Sequence, residues 1–219
     1  MTTLPDKTEV ETFIEQEAHI TGFLQRVMLA DDPVMAQFQL SGGLDGIRQN
    51  QALREKVIAQ FGYAILSREA VNRLVPYGPF LEVGAGTGYW SYELQRAGCV
   101  SIATDLHTPE TKAQPAVLHP FQGGRCYVDV IAMAAEEAVT QHPEKALLMV
   151  WPELGESWAC SALTAYRGQT LVYVGVARGG WTGDDLLHDE IERGWREVER
   201  IQIPRFPVHS DAIFVYKRK

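Results

Sequence analysis

The feature that most constrains this chain is a run of alternating glycines. Glu82-Val83-Gly84-Ala85-Gly86-Thr87-Gly88 follows a short apolar segment, Phe80-Leu81-Glu82-Val83, and precedes a helical pattern from Tyr89 to Ala97 that Gly98 ends. A strand that turns into a helix through three glycines makes a tight loop. Its backbone can take conformations that a side chain forbids, and a ligand can approach it closely. The helix N-terminus behind it presents N–H groups without intrahelical partners. A tight turn that binds nothing would have the same spacing.

Two familiar glycine loops do not fit. The dinucleotide fingerprint Gly-x-Gly-x-x-Gly needs glycine at position 89, where Tyr89 stands. The phosphate-binding P-loop needs Gly-Lys-Ser/Thr, but Tyr89-Trp90 follows Gly88.

From Phe80 onward, strand and helix patterns alternate. Val100–Asp105 reads as the second strand, Ala146–Trp151 as a strongly apolar one and Thr170–Gly175 as the next. Cys126–Val130 reads as a short strand between them, with a helix from Ala132 to Gln141. Ser157 to Tyr166, capped by Ser157, and Asp184 to Trp195 read as further helices. Leu106 to Gly124 holds three prolines and Gly123-Gly124, and reads as a long loop. Alternation predicts a parallel sheet covered on both faces. Val198–Ile203 and Ala212–Tyr216 follow each other through a proline-bearing turn and predict an antiparallel hairpin.

The first part of the chain is helical by its apolar period. Val10, Phe13, Ile14, Phe23, Leu24, Val27 and Met28 share one face, and Asp32-Pro33 and Ser41-Gly42-Gly43 are breaks. A second helix spans about Gly46 to Phe61 with Ile47, Leu53, Val57 and Phe61 inward. A third opens at the cap Ser67 and ends before Tyr77-Gly78-Pro79. Residues 1–75 are expected to form a helical cap and residues 76–219 an α/β domain.

Composition narrows the partners. The formal net charge is −8, whereas nucleic-acid binding draws much of its affinity from cationic neutralisation of phosphates. No nucleic-acid partner is therefore expected. No apolar run approaches a membrane span, no leader pattern opens the chain, and the cytoplasm is the default location. Cys99, Cys126 and Cys160 are odd in number and lack Cys-x-x-Cys spacing, so neither a disulfide framework nor a zinc site is expected. The six histidines show no metal-ligand spacing, and no metal is expected. No nucleophile elbow accompanies His209-Ser210-Asp211, which excludes a hydrolytic triad of that kind.

Glu82, Gly84, Gly86 and Gly88, with an acid two residues before the first glycine, resemble the first motif of class I S-adenosylmethionine (SAM)-dependent methyltransferases. The likeness runs from Phe80 to Tyr216. Tyr77-Gly78-Pro79, Gly84–Trp90, Val150-Trp151-Pro152 and Thr182-Gly183-Asp184-Asp185 further resemble a methyltransferase-like group of unassigned activity. Its members often carry a second proline where this chain has Glu153.

The resemblance implies a Rossmann-like, mostly parallel seven-stranded sheet whose last strand is antiparallel, and SAM as cofactor. It implies that the loop approaches the methionine part of SAM, with Glu82 helping to hold its amino group. Asp105, at the end of the second strand, would grip the ribose hydroxyls, as acids do in dinucleotide sites. His107 either lines the adenine pocket or is a solvated loop residue. Asp129 either contacts the adenine amine or starts a helix.

Trp151 and Glu153, beyond the fourth strand, occupy the position that faces the transferred methyl. Glu153 reads as a general base, an amine ligand or a solvated acid. Thr182–Asp185 reads as a turn and helix cap or as a pocket wall. The expected activity is methyl transfer to O, N or S of a small molecule. Methylation of a protein, or service as a non-catalytic partner subunit, are the alternatives. The sequence does not specify an oligomeric state.

Overall fold

A computed structural model of the chain describes residues 4–18, 44–107, 126–206 and 209–219. The helices are α1 (Glu9–Ala18), α2 (Leu44–Phe61), α3 (Arg68–Leu74), α4 (Tyr89–Arg96), α5 (Ala135–Gln141), α6 (Trp158–Ala165) and α7 (Asp185–Gly194). The strands are β1 (Phe80–Val83), β2 (Ser101–Asp105), β3 (Val130–Ala132), β4 (Ala146–Val150), β5 (Thr170–Gly175), β6 (Trp195–Gln202) and β7 (Ala212–Arg218).

They form one seven-stranded sheet in the order β3-β2-β1-β4-β5-β7-β6. β1 to β5 are parallel, and β7 is antiparallel to both β5 and β6. This is the Rossmann-like architecture with a C-terminal antiparallel hairpin that the sequence predicts.

Side-chain alternation along the strands builds two cores. Leu148 of β4 and Val172 and Val174 of β5 face a layer made by α1 to α4. Leu147, Met149, Leu171 and Tyr173 face the opposite layer of α5, α6 and α7. Both faces of the central strands are thus covered, which explains their nearly continuous apolar sequences.

The N-terminal segment is fastened to α4 by polar groups. The Glu9 and Val10 amides at the start of α1 donate to Glu93 Oε1 (3.1 Å) and Tyr89 Oη (3.0 Å). These are N–H groups that the helix itself cannot satisfy. Glu93 is fully buried and also accepts from Arg68 Nη2 at 2.6 Å. Removing either partner would strand a buried charge.

Several sequence expectations shift. The strand expected at Cys126–Val130 lies at Val130–Ala132, and the helix expected from Ala132 starts at Ala135. Val128 and Val130 are both drawn against Gly88, and only the second continues into the sheet. β6 starts at Trp195, directly after α7, so its strand begins three residues before Val198. Ser157 occupies the cap position of α6 but makes no capping bond, whereas Ser67 and Asp184 cap α3 and α7 as expected. The readings of residues 23–33, 41–43 and 108–124 fall outside the described residues. Among the described residues no helix is long and apolar enough to cross a membrane, and no group of three or more His, Cys, Asp or Glu is placed to hold a metal.

Candidate functional site

Strand order reverses between β1 and β4, so the chain passes to opposite sides of the sheet from this point. In open parallel sheets a crevice opens here, beyond the carboxyl ends of the strands. The glycine loop forms one flank of that crevice. Trp151, one residue past β4, forms the other.

Gly84, Gly86 and Gly88 have φ of 62°, 57° and 69°. Each lies in the left-handed region, which costs an ordinary residue roughly 1–2 kcal/mol. The Ala85 amide donates to Thr104 O (3.0 Å) and the Gly88 amide to Ala85 O (2.8 Å), which locks the turn. Gly88 serves close packing. A Cβ there would sit 2.5 Å from Val128 Cγ2 and 3.1 Å from Val130 Cγ2. A Cβ on Gly84 would meet the Trp158 ring at 2.8 Å. The backbone of Gly84 is exposed and that of Gly86 half-exposed, so this stretch of the loop is the part open to a ligand.

The two predicted acids have different surroundings. Asp105 faces the loop: its Oδ2 accepts from the Gly86 amide at 2.9 Å and its Oδ1 from the His107 amide at 2.8 Å. A carboxylate has about four acceptor positions, so these two bonds leave capacity for a further donor. Glu82 is turned into the protein and is 1% exposed. Its Oε2 accepts from Ser91 N (2.9 Å) and Ser91 Oγ (2.6 Å), in the first turn of α4. Glu82 thus caps the helix that the loop opens, from a neighbouring strand. Burial pushes its carboxyl up to about 7; the Ser91 bonds oppose this and the Asp105 charge adds to it.

His107 is exposed just past β2. Asp129 is exposed and immediately precedes β3, at its amino end. Ala132 pairs with Asp105 at the carboxyl end of β3, and the Met133 amide donates to Asp105 O at 3.1 Å. The displaced strand therefore brings Ala132 and Met133, not Asp129, to the level of Asp105.

On the other flank, Trp151 has φ 54° and is the described non-glycine residue with positive φ. Such a backbone costs about 1–3 kcal/mol and persists where its surroundings over-determine it. Three contacts do so. The Trp151 amide donates to Val174 O (2.8 Å), Nε1 donates to Asp211 Oδ1 (2.8 Å), and the indole stacks on Tyr63 at 4.4 Å with 10° between planes.

Topology brings Asp211 here. Ala212, the first residue of β7, pairs with Gly175, the last of β5, so the residues just before β7 reach the carboxyl edge. His209 lies in the same segment, 6.4 Å from Trp151 between ring centroids.

Glu153 is braced rather than loose. Its Oε2 accepts from Trp158 Nε1 at 3.2 Å, and it forms an antiparallel bridge with Thr182. Thr182 is itself fixed by Tyr173 Oη (2.6 Å) and the Val176 amide (2.7 Å). Asp184 caps α7 by accepting from Leu187 N at 2.7 Å. The Thr182–Asp185 stretch is thus a turn and cap that also buttresses the Pro152–Glu153 segment, through the Gly183 amide on Pro152 O at 2.9 Å.

Arg54, Tyr63, Trp158, His209 and Asp211 were not among the site residues expected from sequence. Most carry no local signal. Asp211 could have been placed by following the predicted hairpin back to the strand edge. Two described cavities, about 460 and 620 Å³, lie elsewhere, against residues 4–16 of the N-terminal segment. Neither is lined by the glycine loop or Trp151.

No family model matches the chain, and no curated protein matches it. Solved structures with a similar fold include magnesium protoporphyrin IX methyltransferase from Synechocystis PCC 6803 with bound SAM, 11% identical, with 100% of both chains covered and a TM-score of 0.43. A TehB-like SAM-dependent methyltransferase from Corynebacterium glutamicum is 19% identical, covering 80% of this chain and all of the other at a TM-score of 0.45. The Burkholderia thailandensis 1,6-didemethyltoxoflavin-N1-methyltransferase, with its substrate and S-adenosylhomocysteine bound, is 14% identical over 69% of this chain and 77% of its own, at a TM-score of 0.45. Likeness this distant assigns no residue a role.

Proposed function

We propose that this chain is a SAM-dependent methyltransferase acting on O, N or S of a small-molecule acceptor. The observation that carries the reading is the left-handed glycine loop at the switch point of the sheet, with the Asp105 carboxylate bonded across it. The residues present fit the group. Gly84 and Gly86 leave backbone exposed in the loop, and Asp105 has acceptor capacity for ribose hydroxyls. His107 is exposed just past Asp105, on the side where the adenine would lie in this reading. In this reading Glu82 acts through Ser91, holding α4 and the loop in shape, and Asp129, at the amino end of β3, is not used.

Bound SAM supplies a methyl group already activated by its sulfonium. The protein's task is to align the acceptor and keep water out. Trp151, held through its amide, its indole N–H and its ring face, is the wall that faces the acceptor. Glu153 is fixed at the same edge by Trp158 and Thr182 and is placed to accept a hydrogen bond from an acceptor amine or hydroxyl. The division into a cap of residues 1–75 and a SAM-binding domain of residues 76–219, and a cytoplasmic location, belong to this reading. The net charge of −8 favours a small or cationic acceptor over a nucleic acid.

Titration calorimetry of the purified chain with SAM tests the first step. The expected result is saturable heat that Gly86→Asp abolishes. No heat with the wild type, or equal heat with both proteins, would end the reading.

A further inference from the structure

Beyond Trp151, the same edge carries groups that the loop motif and its resemblance leave unused. His209 Nδ1 is buried without a hydrogen-bond partner among the described residues. A buried imidazole nitrogen left unpaired forfeits solvation and needs an explanation, a ligand or a chemical role among them. Arg54, half-buried on α2, lies near enough to Asp211 and Tyr63 for their charges to act on its guanidinium. It makes no ion pair or hydrogen bond among the described residues, so its guanidinium has donor capacity to offer. Tyr63 and Trp151 add a stacked aromatic wall. Asp211 is 4% exposed and holds the indole, which fixes the wall's orientation.

We propose that Arg54, Tyr63, Trp151 and His209 form the methyl-acceptor site, that the acceptor is an aromatic ring bearing an acidic hydroxyl, and that His209 Nδ1 takes its proton. The inference rests on the methyltransferase reading above. In the transfer, the hydroxyl O–H bond breaks and its proton passes to Nδ1. An oxygen lone pair forms the bond to the methyl carbon. The carbon–sulfur bond breaks with its electron pair kept by sulfur, so the sulfonium becomes a neutral thioether. Arg54 offsets the negative charge that builds on the oxygen. The imidazolium returns its proton to solvent. Asp211 is a positioning residue: it orients Trp151 and touches no reacting atom.

The electrostatics agree with these roles. Burial and the Arg54 charge push the His209 imidazole below its usual range, with Asp211 opposing. His209 is therefore neutral, and able to accept a proton, at neutral pH. Burial raises the Asp211 carboxyl, against the Trp151 bond and the charges of His209, Arg54 and Arg205. Burial and Glu153 raise the Tyr63 phenol, with Arg54 opposing. The Tyr63 phenol stays protonated and does not compete with His209 for the acceptor's proton.

The probe is 4-nitrophenol, an acidic aromatic hydroxyl whose anion is coloured and whose methyl ether is not. With the full chain and SAM, loss of colour should report methylation. His209→Gln should slow it by roughly 10²–10⁴-fold below the probe's own ionisation, and the deficit should shrink as solution pH ionises the probe. Arg54→Gln should weaken probe binding about tenfold or more at every pH. Both variants should keep the wild-type heat of SAM binding. A probe that fails to bind while SAM binds normally would overturn the acceptor site and leave the cofactor reading intact. So would a His209→Gln deficit independent of pH, or an Arg54→Gln variant that binds the probe like the wild type. Probe binding that needs Arg54 in a protein that does not bind SAM would keep the site and sink the methyltransferase reading.

Discussion

The two flanks of the switch-point crevice are built on opposite principles. The flank after β1 is local and made of backbone. Residues 84–88 turn sharply, and one carboxylate from the adjacent strand holds the turn. The flank after β4 is assembled from side chains that sequence keeps far apart: Arg54, Tyr63, Trp151, His209 and Asp211. The first needs glycine at fixed positions because geometry there excludes a Cβ. The second needs a sheet that delivers its groups to one edge, and each position taken alone tolerates other residues. A cofactor common to many enzymes suits the first construction, and an acceptor peculiar to one suits the second.

The contrast breaks first at Gly88. Valine there would carry the left-handed strain of φ 69° and drive a Cβ to 2.5 Å from Val128. Strain of roughly 1–2 kcal/mol and overpacking of roughly 1–3 kcal/mol predict a loss of about 4 kcal/mol in urea unfolding. Gly98→Ala is the control. Gly98 has φ 80° with open space around its Cβ, so only about 1 kcal/mol of strain is expected. Equal costs at the two positions would mean that close packing does not define the loop flank.

Glu82 gives the next largest effect. Its folded pKa, raised from 4.5 to about 7, means that the folded state binds the proton more tightly than the unfolded chain. Its contribution is complete below about pH 4.5 and is lost as pH rises through about 7. The shift corresponds to about 3 kcal/mol. Glu82→Gln keeps an acceptor for Ser91 without the titration. The stability of the wild type relative to this variant should therefore fall by that amount across the interval, measured by denaturant unfolding at several pH values. A flat difference would return Glu82 to the solvent-facing side of the crevice.

This asymmetry also governs what the sequence disclosed. The glycine loop, the limits of β1 and β5, the caps Ser67 and Asp184 and the final antiparallel pair were legible because each is fixed by near neighbours: period, glycine spacing, a polar residue before a helix. β3 was misplaced because it has three residues and its register is set by pairing with β2, far away in sequence. Glu82 was read as ligand-facing because the motif marks its position and not the direction of its side chain. Ser91, nine residues on, turns it inward. Asp211 and His209 were noticed only as part of a hydrolytic pattern the chain does not complete. Their place beside Trp151 follows from the pairing of β5 with β7, which no local pattern states.

Asp105→Asn sharpens the comparison from the loop side. The amide preserves size and one acceptor oxygen but removes the charge that faces the Gly86 amide. Charge-assisted hydrogen bonds contribute about 1.5–3 kcal/mol, so SAM affinity should fall roughly 10- to 100-fold by calorimetry. Binding of 4-nitrophenol should change little, because the acceptor flank takes no group from β2. A parallel loss of both would show that the flanks are one structure and not two.

The smallest effect tests whether the side-chain flank is assembled before any ligand arrives. Tyr63 and Trp151 stack at 4.4 Å and nearly parallel. Aromatic pairs of this kind contribute about 0.5–1.5 kcal/mol beyond the area they bury. Single changes at either position also alter burial, so the pair is isolated by a double-mutant cycle, Tyr63→Leu with Trp151→Leu. The coupling free energy from denaturant unfolding should be about 1 kcal/mol. Coupling near zero would mean that Tyr63 does not hold the indole in the free protein. Trp151 would then rest on Asp211 and Val174 alone, and the acceptor would have to complete the wall itself.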